Sequence, residues 1–183
     1  MLAKIPLPIR LPLIVMLIVL NTVVLVSTLL LASLLKWLVP LAGFNRLCER
    51  FILFLAEAWI SNNSWMMRNC TTSQVNYAED AQLDRQGHYL VLSNHQSWVD
   101  IIVLQAVFNR RIPFMRFFLK QQLIWVPLLG LDWRALDFPF MKRHSKSQIQ
   151  KRPELAGQDI AATRKACEKF LGKPVSIMIF PEG

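Results

Sequence analysis

Residues 11–35 are 25 consecutive positions without a charged side chain, bounded by Arg10 and Lys36. Such a run is too long for a strand and too apolar for a loop, which leaves a helix with apolar surroundings along most of its surface. Rising about 1.5 Å per residue, it is long enough to cross a hydrocarbon layer of roughly 30 Å. Pro12 suits an early helical position, while Asn21, Thr22, Ser27, Thr28 and Ser33 can bond back to the preceding turn or face a second helix. A cleaved signal peptide fits less well, because the apolar run is overlong and no small-residue cleavage site follows promptly. The N-terminus is therefore expected to be a membrane helix.

A second apolar stretch, Trp37 to Ile60, is interrupted by Pro40, Gly43 and the charged residues Arg46, Glu49, Arg50 and Glu57. With Phe51, Ile52, Leu55 and Trp59 as its apolar face and Glu49, Arg50 and Glu57 toward water or headgroups, it reads as an interfacial or re-entrant helix rather than a second clean span. Lys4 and Arg10 precede the first run and Lys36, Arg46 and Arg50 follow it, so the positive-inside rule leaves the orientation open.

The full chain has 183 residues, enough for one substantial core plus this membrane element. Its formal charge is +9, and from Arg110 onward 14 basic residues face 6 acidic ones. A basic surface beside a membrane segment attracts anionic headgroups or phosphorylated substrates. Nucleic acid is not an expected partner, since no zinc-finger spacing, RNA-recognition motif or aromatic-interleaved basic tract accompanies the charge. Cys48, Cys70 and Cys167 are too few and too irregular for a disulfide framework or a structural zinc site, and read as packed thiols.

The pattern changes at Asn62-Asn63-Ser64, which divides the chain into a membrane-spanning and interfacial region, 1–61, and an α/β region, 62–183. Met67 to Tyr77 has a weak alternation that suggests an extended segment. A turn at Asp84-Arg85-Gln86-Gly87 leads into His88-Tyr89-Leu90-Val91-Leu92, a buried-strand pattern, and Ser97 can cap a helix carrying Val99, Ile101, Ile102, Leu104 and Val107, with Asp100 completing a capping box. Between strand and helix stands Asn94-His95-Gln96-Ser97-Trp98-Val99-Asp100. Histidine is suited to deprotonating a hydroxyl near neutral pH, and a carboxylate on one ring nitrogen orients the other toward a substrate. The same residues also allow a purely structural role, with Asp100 as a helix cap and His95 satisfying a loop carbonyl. Ser97 as a nucleophile lacks a Gly-x-Ser-x-Gly elbow, and one His with one carboxylate makes no metal site.

The wider order of motifs narrows these alternatives. The chain resembles the glycerolipid acyltransferase family, which includes glycerol-3-phosphate and 1-acylglycerol-3-phosphate acyltransferases. That family's first motif is Asn-His, four residues, Asp, and Asn94-His95 through Asp100 fits it. The wording from Val91 to Asp100 is similar to the branch containing lysocardiolipin and related lysophospholipid acyltransferases. The resemblance implies an acyltransferase domain with a mixed sheet and flanking helices, with His95 as general base and Asp100 as its orienting partner. It further implies acyl-coenzyme A, or an acyl carrier protein, as donor and a lysophospholipid or glycerol phosphate as acceptor; the sequence itself shows no separate nucleotide-binding loop and demands no metal or resident cofactor.

Phe117-Phe118-Leu119-Lys120 leads to Ile124-Trp125-Val126-Pro127-Leu128-Leu129-Gly130, which reads as an aromatic and aliphatic helix ending at Pro127 or Gly130. By resemblance this segment shapes the acceptor or acyl channel, where Lys120 meets a phosphate. The second family motif corresponds to Phe138-Pro139-Phe140-Met141-Lys142-Arg143, with Arg143 as the bidentate phosphate anchor and Lys142 as a less directional charge. Asp159 to Leu171 has the stripe of an amphipathic helix closed by Gly172 and Pro174, and Val175 to Phe180 is a compact strand pattern. Phe180-Pro181-Glu182-Gly183 matches the start of the third motif, which implies that Glu182 orients the acceptor and Gly183 lets it approach closely. The family's third motif normally continues beyond this point, so the domain is expected to be incomplete at its C-terminus, with the last strand left at an unpaired edge. The resemblance places the protein in a bacterial inner membrane, contacting membrane lipids, with the catalytic domain on the cytoplasmic side. A noncatalytic membrane protein retaining the motifs is the main rival, and a membrane esterase the second.

Overall fold

In the computed structural model the described residues are 6–71, 75–77, 82–127, 129–141, 150, 164 and 167–181. The charge-free run lies in helix α1, Leu7–Leu38, which extends past both charged borders and carries Pro12 inside it. It is long and apolar enough to cross a membrane. Val39 and Pro40 end it, and α2 follows from Ala42 to Cys70.

The two helices form an antiparallel hairpin closed by specific polar contacts. Asn21 Nδ2 donates to Asn63 Oδ1 (3.0 Å) and the Trp59 carbonyl (3.4 Å), and Asn62 Nδ2 donates back to Asn21 Oδ1 (2.8 Å). Trp59 Nε1 donates to Thr22 Oγ1 at 3.1 Å, and near the turn Lys36 pairs with Glu49 at 2.8 Å. Asn62-Asn63-Ser64 therefore lies inside α2 and interrupts nothing: its amides are satisfied by α1, and Ser64 Oγ bonds back to the Ile60 carbonyl. For the same reason Met67 to Cys70 is helical rather than extended. Glu57, expected toward water, is buried, because Arg85 reaches it from a distant turn.

β1, His88–Leu92, occupies the expected strand, but it is not buried as its pattern suggests: it lies at the edge of its sheet with Leu90 and Leu92 exposed, while α3, Trp98–Phe108, takes the expected helix. Asn109 closes α3 and docks it on α2, donating to Ser61 Oγ (2.9 Å) and to the Glu57 carbonyl (3.2 Å). β2, Met115–Phe117, and β3, Leu119–Lys120, replace the start of the expected aromatic helix. A 3₁₀ turn over Gln121–Trp125 and the short helix α4, Leu129–Ala135, then lead to β4, Phe140–Met141. Gly130 makes this bend possible, since a Cβ there would lie 2.1 Å from the Ile124 carbonyl oxygen. Of the helix expected over 159–171, Arg164, Cys167 and Glu168 are helical and Gly172 turns the chain at φ +75°, while 159–163, 165 and 166 lie outside the described residues. β5, Val175–Ile179, completes the set.

The chain is an α/β structure with flanking helices, as expected, but every strand pairing among the described residues is parallel rather than mixed. The three-stranded sheet has the order β1-β5-β2, with Leu90 opposite Ile177 and Phe117 opposite Met178. The crossover through α3 sets β1 and β2 running the same way and leaves a slot between them, which β5 fills. β5 is thus the central strand and not an unpaired edge. Leu29 and Ala32 of α1 and Ile52, Leu55 and Ala56 of α2 pack with Met115, Phe117, Leu136, Phe138 and Met178 into one core, so the helical hairpin is a wall of the sheet domain.

Candidate active site

β1 delivers the chain to the C-terminal end of a parallel sheet, where open α/β sheets bind their ligands. Ser93 N still donates to the Ile179 carbonyl at 3.4 Å, and the loop then rises into α3. Ser97 caps that helix, its Oγ accepting from Val99 N at 3.2 Å. Asp100 reaches back, and its Oδ2 accepts from the backbone N–H groups of Gln96 (2.7 Å) and Ser97 (2.8 Å). These backbone donors, Ser97 and then Gln96, hold the Asp100 carboxyl below the usual range, with His95 adding to the effect. One carboxylate thus ties down the loop on which His95 sits.

The His95 imidazole is fixed by its edge and by its face. Nδ1 lies 3.5 Å from Asp100 Oδ2, an ion-pair separation longer than an ordinary N–H···O bond. Phe180, just past β5, stacks on the ring at 4.2 Å between centroids and 29° between planes. Phe180 is followed by Phe117 at 6.4 Å and Phe117 by Phe138 at 6.2 Å, so a row of rings runs from His95 into the core. About a third of the His95 side chain remains exposed at 33%, leaving it accessible from outside.

Lys120 ends β3 and is exposed. The β3–β4 register sets it opposite Met141, the residue immediately before Lys142 in the sequence. Lys142, Arg143, Glu182 and Gly183 lie outside the described residues. The structure therefore brings His95, Asp100 and Phe180 together and places Lys120 beside the strand that leads to Lys142. Among the described residues no group of three or more His, Cys, Asp or Glu is placed to hold a metal ion.

Two features were not found by sequence reasoning. Phe180 reads in the sequence as the end of a strand and the start of the third family motif, and its contact with His95 requires the β1–β5 pairing to be known. Asp132 of α4 is buried, its Oδ1 meets no hydrogen-bond partner, and burial pushes its carboxyl up to about 6. The burial of Asp132 within α4 was hidden by the expectation of a helix ending at Gly130.

Residues 74–183 match the family model described as Acyltransferase. Over 98 residues the chain is 30% identical to "1-acyl-sn-glycerol-3-phosphate acyltransferase epsilon" of Mus musculus, an alignment covering 51% of this chain and 24% of that protein. The chain thus spans about a quarter of the length of this curated relative. No solved structure matches it.

Proposed function

Because the chain belongs to the acyltransferase family, we propose that it transfers a fatty-acyl group from acyl-coenzyme A, or an acyl carrier protein, to the free hydroxyl of a lysophospholipid such as 1-acylglycerol-3-phosphate. The observation that carries this reading is the His95 imidazole held between Asp100 and Phe180 at the C-terminal end of the sheet.

In this mechanism Asp100 holds Nδ1 and His95 Nε2 takes the proton of the acceptor hydroxyl. The oxygen attacks the thioester carbonyl, forming the new C–O bond and a tetrahedral intermediate. Collapse breaks the C–S bond, and the departing thiolate recovers the proton from the imidazolium. Asp100 offsets the imidazolium charge as it forms, which its lowered pKa permits, since it stays ionised where His95 works.

Lys120, Lys142 and Arg143 bind the acceptor phosphate, Arg143 in bidentate fashion. Support comes from the β3–β4 register, which aligns Lys120 with Met141. Glu182 orients the acceptor glycerol and Gly183 admits it, a role suggested by their place in the sequence two and three residues after Phe180, whose ring stacks on His95. Residues 1–61 serve as the membrane region and 62–183 as the first part of the acyltransferase domain, with α2 belonging to both. A bacterial inner-membrane location with the catalytic domain cytoplasmic fits this assignment, and lysocardiolipin and lysophosphatidylglycerol are further acceptors to test.

The test incubates detergent-purified protein and its His95→Ala variant with labelled oleoyl-coenzyme A and a panel of lysophospholipids, reading products by mass spectrometry. We expect an acceptor-dependent product whose rate falls about 10²–10⁴-fold in the variant. Equal rates in the two proteins would remove His95 as the base. Free fatty acid without acceptor would indicate an esterase, and no turnover from folded protein a noncatalytic membrane protein.

A further inference from the structure

The end of the sheet opposite His95 carries an open cavity of about 550 Å³. Gln86, Phe114 and Pro174, which stand ahead of β1, β2 and β5, form one side, and α2 forms the other. A five-residue strand of roughly 3.3 Å per residue, about 16 Å, separates this cavity from the His95 loop.

Three arginines line it, with Glu57 as the acid among its lining residues. Glu57 is already committed: Oε1 accepts from Arg85 Nη2 at 2.5 Å and Oε2 lies 3.5 Å from Arg110 Nε. Arg116 is held in place by donating to the carbonyls of Leu136 (2.8 Å) and Phe114 (3.3 Å), with its guanidinium near the rings of Phe114 and Phe170; burial disfavours its charge, which Asp137 only partly offsets, so an anion beside it would be welcome. Arg50 is exposed and has no ion-pair partner among the described residues. Among the described residues two of the three guanidinium groups therefore have no carboxylate at ion-pair distance, and both line one concave surface suited to a phosphate.

Apart from Gln86, the rest of the lining is apolar, through Leu53, Phe54, Pro113, Phe114 and Pro174. Phe54 is exposed, and Phe51 and Leu47 continue the same exposed strip along α2. A soluble phosphate has no use for such a strip, whereas an acyl chain does.

We infer that this cavity binds an anionic phospholipid, its phosphate on Arg50 and Arg116 and an acyl chain along Phe54, Phe51 and Leu47. The site is separate from the acyl-transfer reading and stands whether or not that reading holds. It would make the protein sense the charge of the membrane it sits on.

The test titrates the detergent-purified full chain with dihexanoylphosphatidylglycerol, dihexanoylphosphatidylcholine and inorganic phosphate, measuring Kd by calorimetry. Arg50→Gln and Lys120→Gln are compared with the unaltered chain, and thermal melts confirm that both fold. We expect saturable phosphatidylglycerol binding that weakens about tenfold in Arg50→Gln and is unchanged in Lys120→Gln. Phosphatidylcholine binding as tightly would show that charge is not what is recognised. Inorganic phosphate competing at equal affinity would assign the cavity to free phosphate and overturn the lipid. Loss of binding in Lys120→Gln but not Arg50→Gln would move the lipid to the acyl-transfer site, and no saturable binding would end the proposal.

Discussion

At the scale of single residues, the site combines a legible half with a hidden one. The Ser97–Asp100 spacing announces a capping box, and the structure shows both of its bonds. The Phe180 ring on His95 is invisible until β5 is known to lie against β1, because nothing local links two residues so far apart in sequence. Asp132 is the other hidden residue, and it makes a prediction. Its folded pKa, about 6, stands above the usual carboxylate value, because burial penalises the charged form. The folded state therefore holds this proton more tightly than the unfolded chain does. The resulting stabilisation is present at low pH and is lost as pH rises from about 4 through about 6. Asp132→Asn, which mimics the protonated acid, should remove this loss and raise stability above pH 6 by up to about 3 kcal/mol. Melting curves from pH 4.5 to 8 check it, and parallel pH profiles for the two proteins would refute it.

Among the elements, the hairpin of α1 and α2 depends on a few polar contacts within an apolar surface. Asn21 makes three of them, to Trp59, Asn62 and Asn63. Asn21→Leu keeps α1 apolar and helical but leaves the amides of α2 without their partner. We expect a loss of about 1–2 kcal/mol in stability, measured as a lower melting temperature in detergent, with helix content by circular dichroism unchanged. Unaltered melting would mean that packing alone holds the hairpin. The polar trio that resembled a break in the sequence is this same contact viewed without its partner helix. The segment from Phe117 to Gly130 was misread for a related reason. Its aromatic and aliphatic residues fit a helical stripe, but Phe117 is claimed by Met178 across the sheet and Leu119 by Phe140. Tertiary pairing overrode local pattern there, while at β1, α3 and β5 the two agreed.

For the molecule as a whole, the hydrophobic N-terminus is more than an anchor. Leu29 and Ala32 of α1 are buried in the same core as Met115, Phe117 and Met178. Shortening the chain to residues 42–183 would strip one wall from the sheet domain and expose Ile52, Leu55 and Ala56. We predict that this shortened protein gives no cooperative melting transition under conditions where the full chain does. A soluble fragment with a sharp transition would show that α1 is dispensable for the fold. The composition pointed to a membrane element and an α/β region as separate parts; only the structure shows that they share a core.

The strand order β1-β5-β2 also sets a timetable for synthesis. The middle strand is translated last of the three, 87 residues after its first neighbour when His88 is matched with Val175. At roughly 10 residues per second the ribosome needs about 9 s to supply it, and until then β1 and β2 flank a vacant slot. A ribosome that stalls before Val175 holds a chain with a finished hairpin, β1 and β2 as orphan strands, and no three-stranded sheet.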